Sequence, residues 1–190
     1  MFSFQRSRRL PIVILLTLCT QISAAAPAKD NPFGELEQAL NPAGVIVADR
    51  LAILNLLYAY SHFADGLHTD SFGQFFTRDA VFEVVPYGSQ GPKDRQRMGK
   101  GRSEIVAALA PRHLKFAQEG IQRRHFLTNP VVWDQSEKRA RVAVYLQLRS
   151  SQRGGPSQVV ATGRYEGVAV KTLEGWRMAE WTIHSDQELK

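Results

Sequence analysis

Apolar residues between Val45 and Ala64 return at helical spacing, through Ile46, Leu51, Leu54, Leu57 and Tyr58. That period predicts a first long helix with one buried stripe. Gly66 supplies its stop signal. Asp70-Ser71 is suited to cap a short second helix over SFGQFF. Past Thr77-Arg78-Asp79 the pattern changes, and AVFEVV reads as a strand. Residues 86–99 are polar and rich in glycine and proline, which predicts a loop. A third helix begins near Arg102 (RSEIVAALA), is interrupted or restarted by Pro111, and fades by Gly120. Strands are expected at about 124–133, 139–149 and 158–171, with GWRMAEWTIHS as the last. SSQRGGPS and TLEG are the turns between them. Helices first and antiparallel strands afterwards predict an α+β domain, its helices against one side of a sheet.

Strand alternation sharpens one stretch, RRHFLTN. His125, Leu127 and Asn129 would share one face, and Arg124, Phe126 and Thr128 the other. Two polar groups flanking a leucine suit a wet surface or the polar part of a pocket. Trp176 and Trp181 have opposite parity, so one is expected in the core and the other on a second face. VAVYLQL and GVAV carry apolar residues on both faces. Only one face can line an interior, so the other is expected to form a homodimer interface.

Composition narrows the classes. The chain has 190 residues, 44% of them hydrophobic, enough for one domain with a core plus a short extra segment. The formal charge of +6 is partly a targeting feature. Arg6, Arg8 and Arg9, the apolar LPIVILLTL and the small-residue ISAAAPA follow one another as in a secretory signal peptide. The apolar run is short for a bilayer span. Cleavage is expected after Ala25, with Ala28 as the second small-residue site. Ser7-Arg8-Arg9 has Pro11 where twin-arginine signals usually place an aromatic residue, and Leu18 is large for the position before a lipidated cysteine. A signal peptide over 1–25, a linker over 26–41 and a domain over 42–187 give an exported, secreted or periplasmic protein with no stable membrane span after processing. Removing three arginines and no acid leaves a formal charge of +3, and the remaining basic residues are scattered among acids. Nucleic-acid binding is not indicated. The single cysteine, Cys19, leaves with the signal, so no disulfide or thiol nucleophile remains.

Five stretches in order carry a family resemblance: ILNLLYAYSHFADGLHTDSFGQFFTRDAVF, GKGRSEIVAAL, RRHFLTN, ATGRYEGVAV and EGWRMAEWTI. Together they resemble the SnoaL-like branch of the nuclear transport factor 2-like superfamily. The resemblance implies a cone, a strongly curved and mostly antiparallel sheet wrapped around N-terminal helices, with a pocket inside. Scytalone dehydratase, bile acid 7α-dehydratase and hexachlorocyclohexane dehydrochlorinase in that superfamily carry an aspartate late in the first long helix and a histidine on a strand. The matching positions are Asp65 and His125, with Tyr60 five residues before the aspartate. The superfamily also holds polyketide cyclases, ketosteroid isomerases and noncatalytic subunits, so fold alone does not set function.

A histidine–aspartate pair is a good general base. The carboxylate fixes the imidazole tautomer and stabilises the imidazolium once it takes a proton. A tyrosine hydroxyl can hydrogen-bond an oxygen where charge develops. The resemblance therefore implies a cofactor-independent dehydratase or isomerase acting on a hydrophobic small molecule. The alternative is a noncatalytic ligand-binding or assembly module, with Asp65 a solvent-facing helix-end carboxylate and His125 a structural histidine. The resemblance favours Tyr60 in the pocket. The helical wheel instead puts Tyr60 about 140° from Asp65 and Tyr58 nearly in line with it. Tyr58, Asn129, Tyr145 and Arg164 are the candidate substrate-binding residues. His62, His68, His113 and His184 form no metal-ligand spacing, so neither metal nor cofactor is expected.

Overall fold

The computed structural model describes residues 46–188. The expected signal segment and linker lie outside the described residues. Helix α1 (Val47–Asp65) comes first, then the short α2 (Thr69–Gly73) and strand β1 (Phe76–Val85). A one-turn 3-10 helix (Pro92–Asp94) leads into β2 (Gln96–Lys100) and helix α3 (Arg102–Glu119). Four long strands finish the domain: β3 (Ile121–Trp133), β4 (Arg139–Gln152), β5 (Gln158–Thr172) and β6 (Gly175–Ser185). They form a six-stranded sheet in the order β2-β1-β6-β5-β4-β3. Every neighbouring pair is antiparallel except β1 with β6, which is parallel. The result is the mixed α+β, mostly antiparallel curled sheet expected from the sequence. Register shifts between Thr128 and Val131, Leu148 and Arg149, and Val168 and Ala169 supply the bends that curl it.

Helix α1 is held by its stripe. Ile53, Leu57, Tyr60 and Ala64 are buried along one side, and each fully buried Ile or Leu contributes about 1.5–3 kcal/mol. The helix runs along edge strand β3. Arg50 donates to the Val132 carbonyl at 3.0 Å near one end. Gln122 donates to the Asp65 carbonyl at 3.0 Å at the other.

Two glycines set the β2–α3 corner. A Cβ on Gly99 would meet the Ile105 backbone nitrogen at 2.8 Å, so β2 lies directly against the helix start. Gly101 precedes α3 with φ +90°, a conformation that favours glycine. Glu104 accepts from the Lys100 backbone N–H at 3.0 Å, and the Arg102 guanidinium grips the Phe76 carbonyl. The GKGRSE stretch is therefore a helix-start device.

Several sequence expectations change. The short helix starts two residues earlier than SFGQFF, and its N-cap, His68, makes no side-chain cap bond. Strand β2 begins inside the expected loop and runs one residue past it; at the sheet edge its polar QRMGK needs no apolar alternation. Helix α3 runs through Pro111 unbroken. The carbonyl freed by the missing N–H belongs to Ala107, and both residues are exposed, so the lost bond is on the solvent side of the helix and not in the core. Trp176 and Trp181 both reach the core, at 4% and 0% exposure. The β5–β6 pairing skips Ala179, and that bulge restores the parity of the two indoles.

Candidate active site

Asp65 is the last residue of α1, and its helical azimuth is that of Tyr58. Tyr58 is 43% exposed, whereas Asp65 is 9% exposed, because β3 crosses the helix end and covers it. The carboxylate holds one residue of that strand twice. Oδ1 lies 2.6 Å from His125 Nδ1, and Oδ2 accepts from the His125 backbone N–H at 2.8 Å. An acceptor at Nδ1 fixes the N–H there and leaves Nε2 as the basic nitrogen. Nε2 carries no hydrogen bond among the described residues. The ring lines a cavity of about 550 Å³, within the range of small-molecule sites.

Tyr60 lines the same cavity, on the α1 core stripe. Its ring stands edge-on to the His125 ring at 5.7 Å. Its hydroxyl is 3.4 Å from that of Tyr165 on β5. Burial raises the pKa of Tyr60 and pushes that of Tyr165 well above its ordinary value, so both stay protonated donors. Trp181 stacks under Tyr165 at 4.9 Å and fixes its plane.

Helix α3 contributes the opposite wall through Leu109, Arg112, His113 and Phe116. His113 Nδ1 is 3.0 Å from Thr69 Oγ1. Burial, with the nearby Arg112 and His125 charges, lowers the His113 pKa, so this second cavity histidine is kept neutral. Arg123, two residues before His125, lies over the Phe116 ring at 4.8 Å. The rest of the lining is largely apolar and includes Phe72, Met98, Leu146, Leu148 and Ile183.

The structure thus brings Asp65, His125 and Tyr60 together. The other sequence candidates lie elsewhere. Strand β3 alternates as far as Leu127, but Asn129 sits in the register shift at φ +53° and is exposed, so its parity with His125 is lost. Tyr145 is 54% exposed on the outer sheet face, opposite Leu146 and Leu148. Arg164 pairs with Tyr145 across β4–β5 and points out with it, while the next residue, Tyr165, lines the cavity. Arg164 reaches Glu166 at 2.8 Å and His184 at 3.3 Å. Burial would raise the Glu166 pKa, but the hydrogen bonds from His184 and Arg164 hold it below the ordinary value. This outer network takes no part in the cavity. Parity with His125 could have found Arg123; Tyr165, His113 and Phe116 carried no such signal. Among the described residues, no group of three His, Cys, Asp or Glu side chains is placed to hold a metal.

A curled sheet closing over one long helix, with a cavity between them and a clamped histidine on the edge strand β3, is a cystatin-like architecture of the nuclear transport factor 2 type. Within that class, the model of the SnoaL-like domain matches residues 46–182, and the chain belongs to this family. The fold is similar to that of a candidate aromatic ring hydroxylase from Novosphingobium aromaticivorans. That protein is 26% identical, with 77% of this chain and 94% of the other covered at a TM-score of 0.58. ActVI-ORFA from Streptomyces coelicolor is 18% identical, with 72% and 96% covered at 0.60. A Catenulispora acidiphila protein, solved in complex with S-DNPA, is 20% identical, with 74% and 96% covered at 0.59. No curated protein matches the chain.

Proposed function

We propose that this protein is a cofactor-independent lyase or isomerase acting on a hydrophobic small molecule. The observation that carries this reading is the double hold of Asp65 on His125 at the wall of the cavity. In the proposed step, His125 Nε2 takes a proton from carbon beside a carbonyl. The Tyr60–Tyr165 hydroxyl pair hydrogen-bonds the oxygen where negative charge develops. In an isomerisation the imidazolium returns the proton at another carbon. In a dehydration it protonates the departing hydroxyl oxygen as the C–O bond breaks, and water leaves. Asp65 stabilises the imidazolium in between.

The structure of a relative with S-DNPA supports small-molecule binding in this fold. Incubation in D2O with cyclic ketones and β-hydroxyketones, followed by proton NMR, tests the chemistry. The wild type is expected to incorporate deuterium beside the carbonyl or to eliminate water, and His125→Ala is expected to do neither. Equal rates in the two proteins would leave the cavity a noncatalytic binding role. Export from the cell and pairing with a second copy through the outer sheet face belong to the same proposal. The first is supported by the 1–25 sequence pattern, the second by exposed Phe126 and Tyr145.

A further inference from the structure

Two arginines share one aromatic ring at the cavity wall. Arg123 Cζ lies 4.8 Å and Arg112 Cζ 5.6 Å from the centre of the Phe116 ring. Both arginines and the ring line the cavity that His125 lines. Arg123 Nε is buried and has no hydrogen-bond partner among the described residues. Among the described residues neither guanidinium has an acidic partner: the Asp65 carboxylate behind the wall is engaged by His125 through both oxygens, and the one carboxylate on the lining, Glu188, is exposed near the chain end. Arg123 is half-buried, and a cation drawn partly out of water without an anion is penalised; the second guanidinium of like sign over the same ring adds repulsion. Burial, with the nearby Arg112 charge, already lowers the Arg123 pKa. An anionic group would relieve both costs and satisfy the open donor.

We infer that Arg123 and Arg112 form an anchoring subsite for the carboxylate of a hydrophobic ring-containing acid, whose ring lies along the apolar remainder of the cavity. A planar carboxylate fits the guanidinium fork. Leu109, Leu146, Leu148 and Ile183 suit the ring. As a statement about substrate, this rests on the proposed reading of His125; as a binding subsite, it stands on the arginines alone. Arg123 is then a substrate-positioning group two residues along the strand from the base.

Isothermal titration calorimetry with 2-naphthoate against 2-naphthamide, and benzoate against benzamide, tests it at low salt. In the wild type, at least one acid is expected to bind about tenfold more tightly than its amide. Arg123→Gln, verified as folded by circular dichroism, is expected to bring that pair to equal affinity. Arg112→Gln, at an exposed position, is expected to reduce the preference and keeps the test decisive if Arg123→Gln does not fold. His125→Ala is expected to retain the preference, so failure of the catalytic reading and failure of the subsite give different results. The subsite is overturned if no acid outbinds its amide in the wild type. It is equally overturned if the folded arginine variants keep the full preference.

Discussion

At the residue scale the centre of this protein is one carboxylate with two duties. Asp65 orients the His125 ring and also accepts the His125 backbone N–H. In the proposed reaction, Asp65→Asn keeps an acceptor but loses the charge that would stabilise the imidazolium. On that mechanism it is expected to lower turnover by about 10²–10⁴-fold, less than His125→Ala, in the same D2O exchange assay. His113 gives a second expectation. Its pKa is lowered in the folded state by burial and by the Arg112 and His125 charges. Between that lowered value and the unfolded value near 6.5, the unfolded chain binds the extra proton, so stability rises with pH. The contribution is fully present above the unfolded value and is lost as pH falls toward the folded one. Urea unfolding at pH 5, 6, 7 and 8 should show this slope in the wild type and a flatter one in His113→Gln.

At the element scale, bulges and close approaches decide which side chains meet. The β5–β6 register shift turns Trp176 and Trp181 to the same side, and the β3 shift turns Asn129 away. Strands β5 and β6 come so close at Gly163 that an added Cβ would run into the His184 backbone carbonyl. The obstacle is backbone in a paired strand, which cannot swing aside. Gly163→Ala is expected to destabilise the fold by about 1–3 kcal/mol, read as a lower urea midpoint at unchanged slope. Helix α1 is anchored at its other end by Asp49, which accepts from Lys171 Nζ at 2.8 Å and Trp176 Nε1 at 2.9 Å. The Lys171 and Trp176 hydrogen bonds hold the Asp49 carboxyl below its usual pKa. Stability from this anchor is present above about pH 4 and lost as acid protonates the group.

At the scale of the whole molecule, the sheet has one committed face and one open face. Val142, Val144, Leu146 and Leu148 of β4 are buried in the core, while the exposed outer side carries Tyr145 and Gln147. Neighbouring β3 exposes Phe126. If this face pairs two copies, light scattering at micromolar concentration should give twice the chain mass, and Phe126→Glu with Tyr145→Glu should halve it. A monomer in the wild type would remove that reading. Mass spectrometry of the exported protein should find the N-terminus near Ala26 or Lys29, and an intact Met1 in that pool would sink the export proposal.

The α+β order of elements was legible in the sequence because it rests on local period, which a linear chain displays. The first helix ends at Asp65 beside its stop glycine for the same reason. The family, and with it the pairing of Asp65 with His125, came from resemblance to known proteins, since residues 60 positions apart show no spacing that joins them. The choice between Tyr58 and Tyr60 was not legible. The helical wheel aligns Tyr58 with Asp65, yet only the crossing of β3 over the helix end buries one and leaves the other exposed. Nor could the sequence choose Tyr165 over Arg164. Adjacent strand residues face opposite ways, and strand pairing across the sheet decides which of them looks inward. Parity past Leu127 and past Met178 was lost for a related reason, since a bulge adds one residue and reverses every side chain beyond it. The second wall of the cavity, Arg112, His113 and Phe116, comes from a helix that the sequence placed but could not orient. Its packing against the sheet brings those side chains to His125.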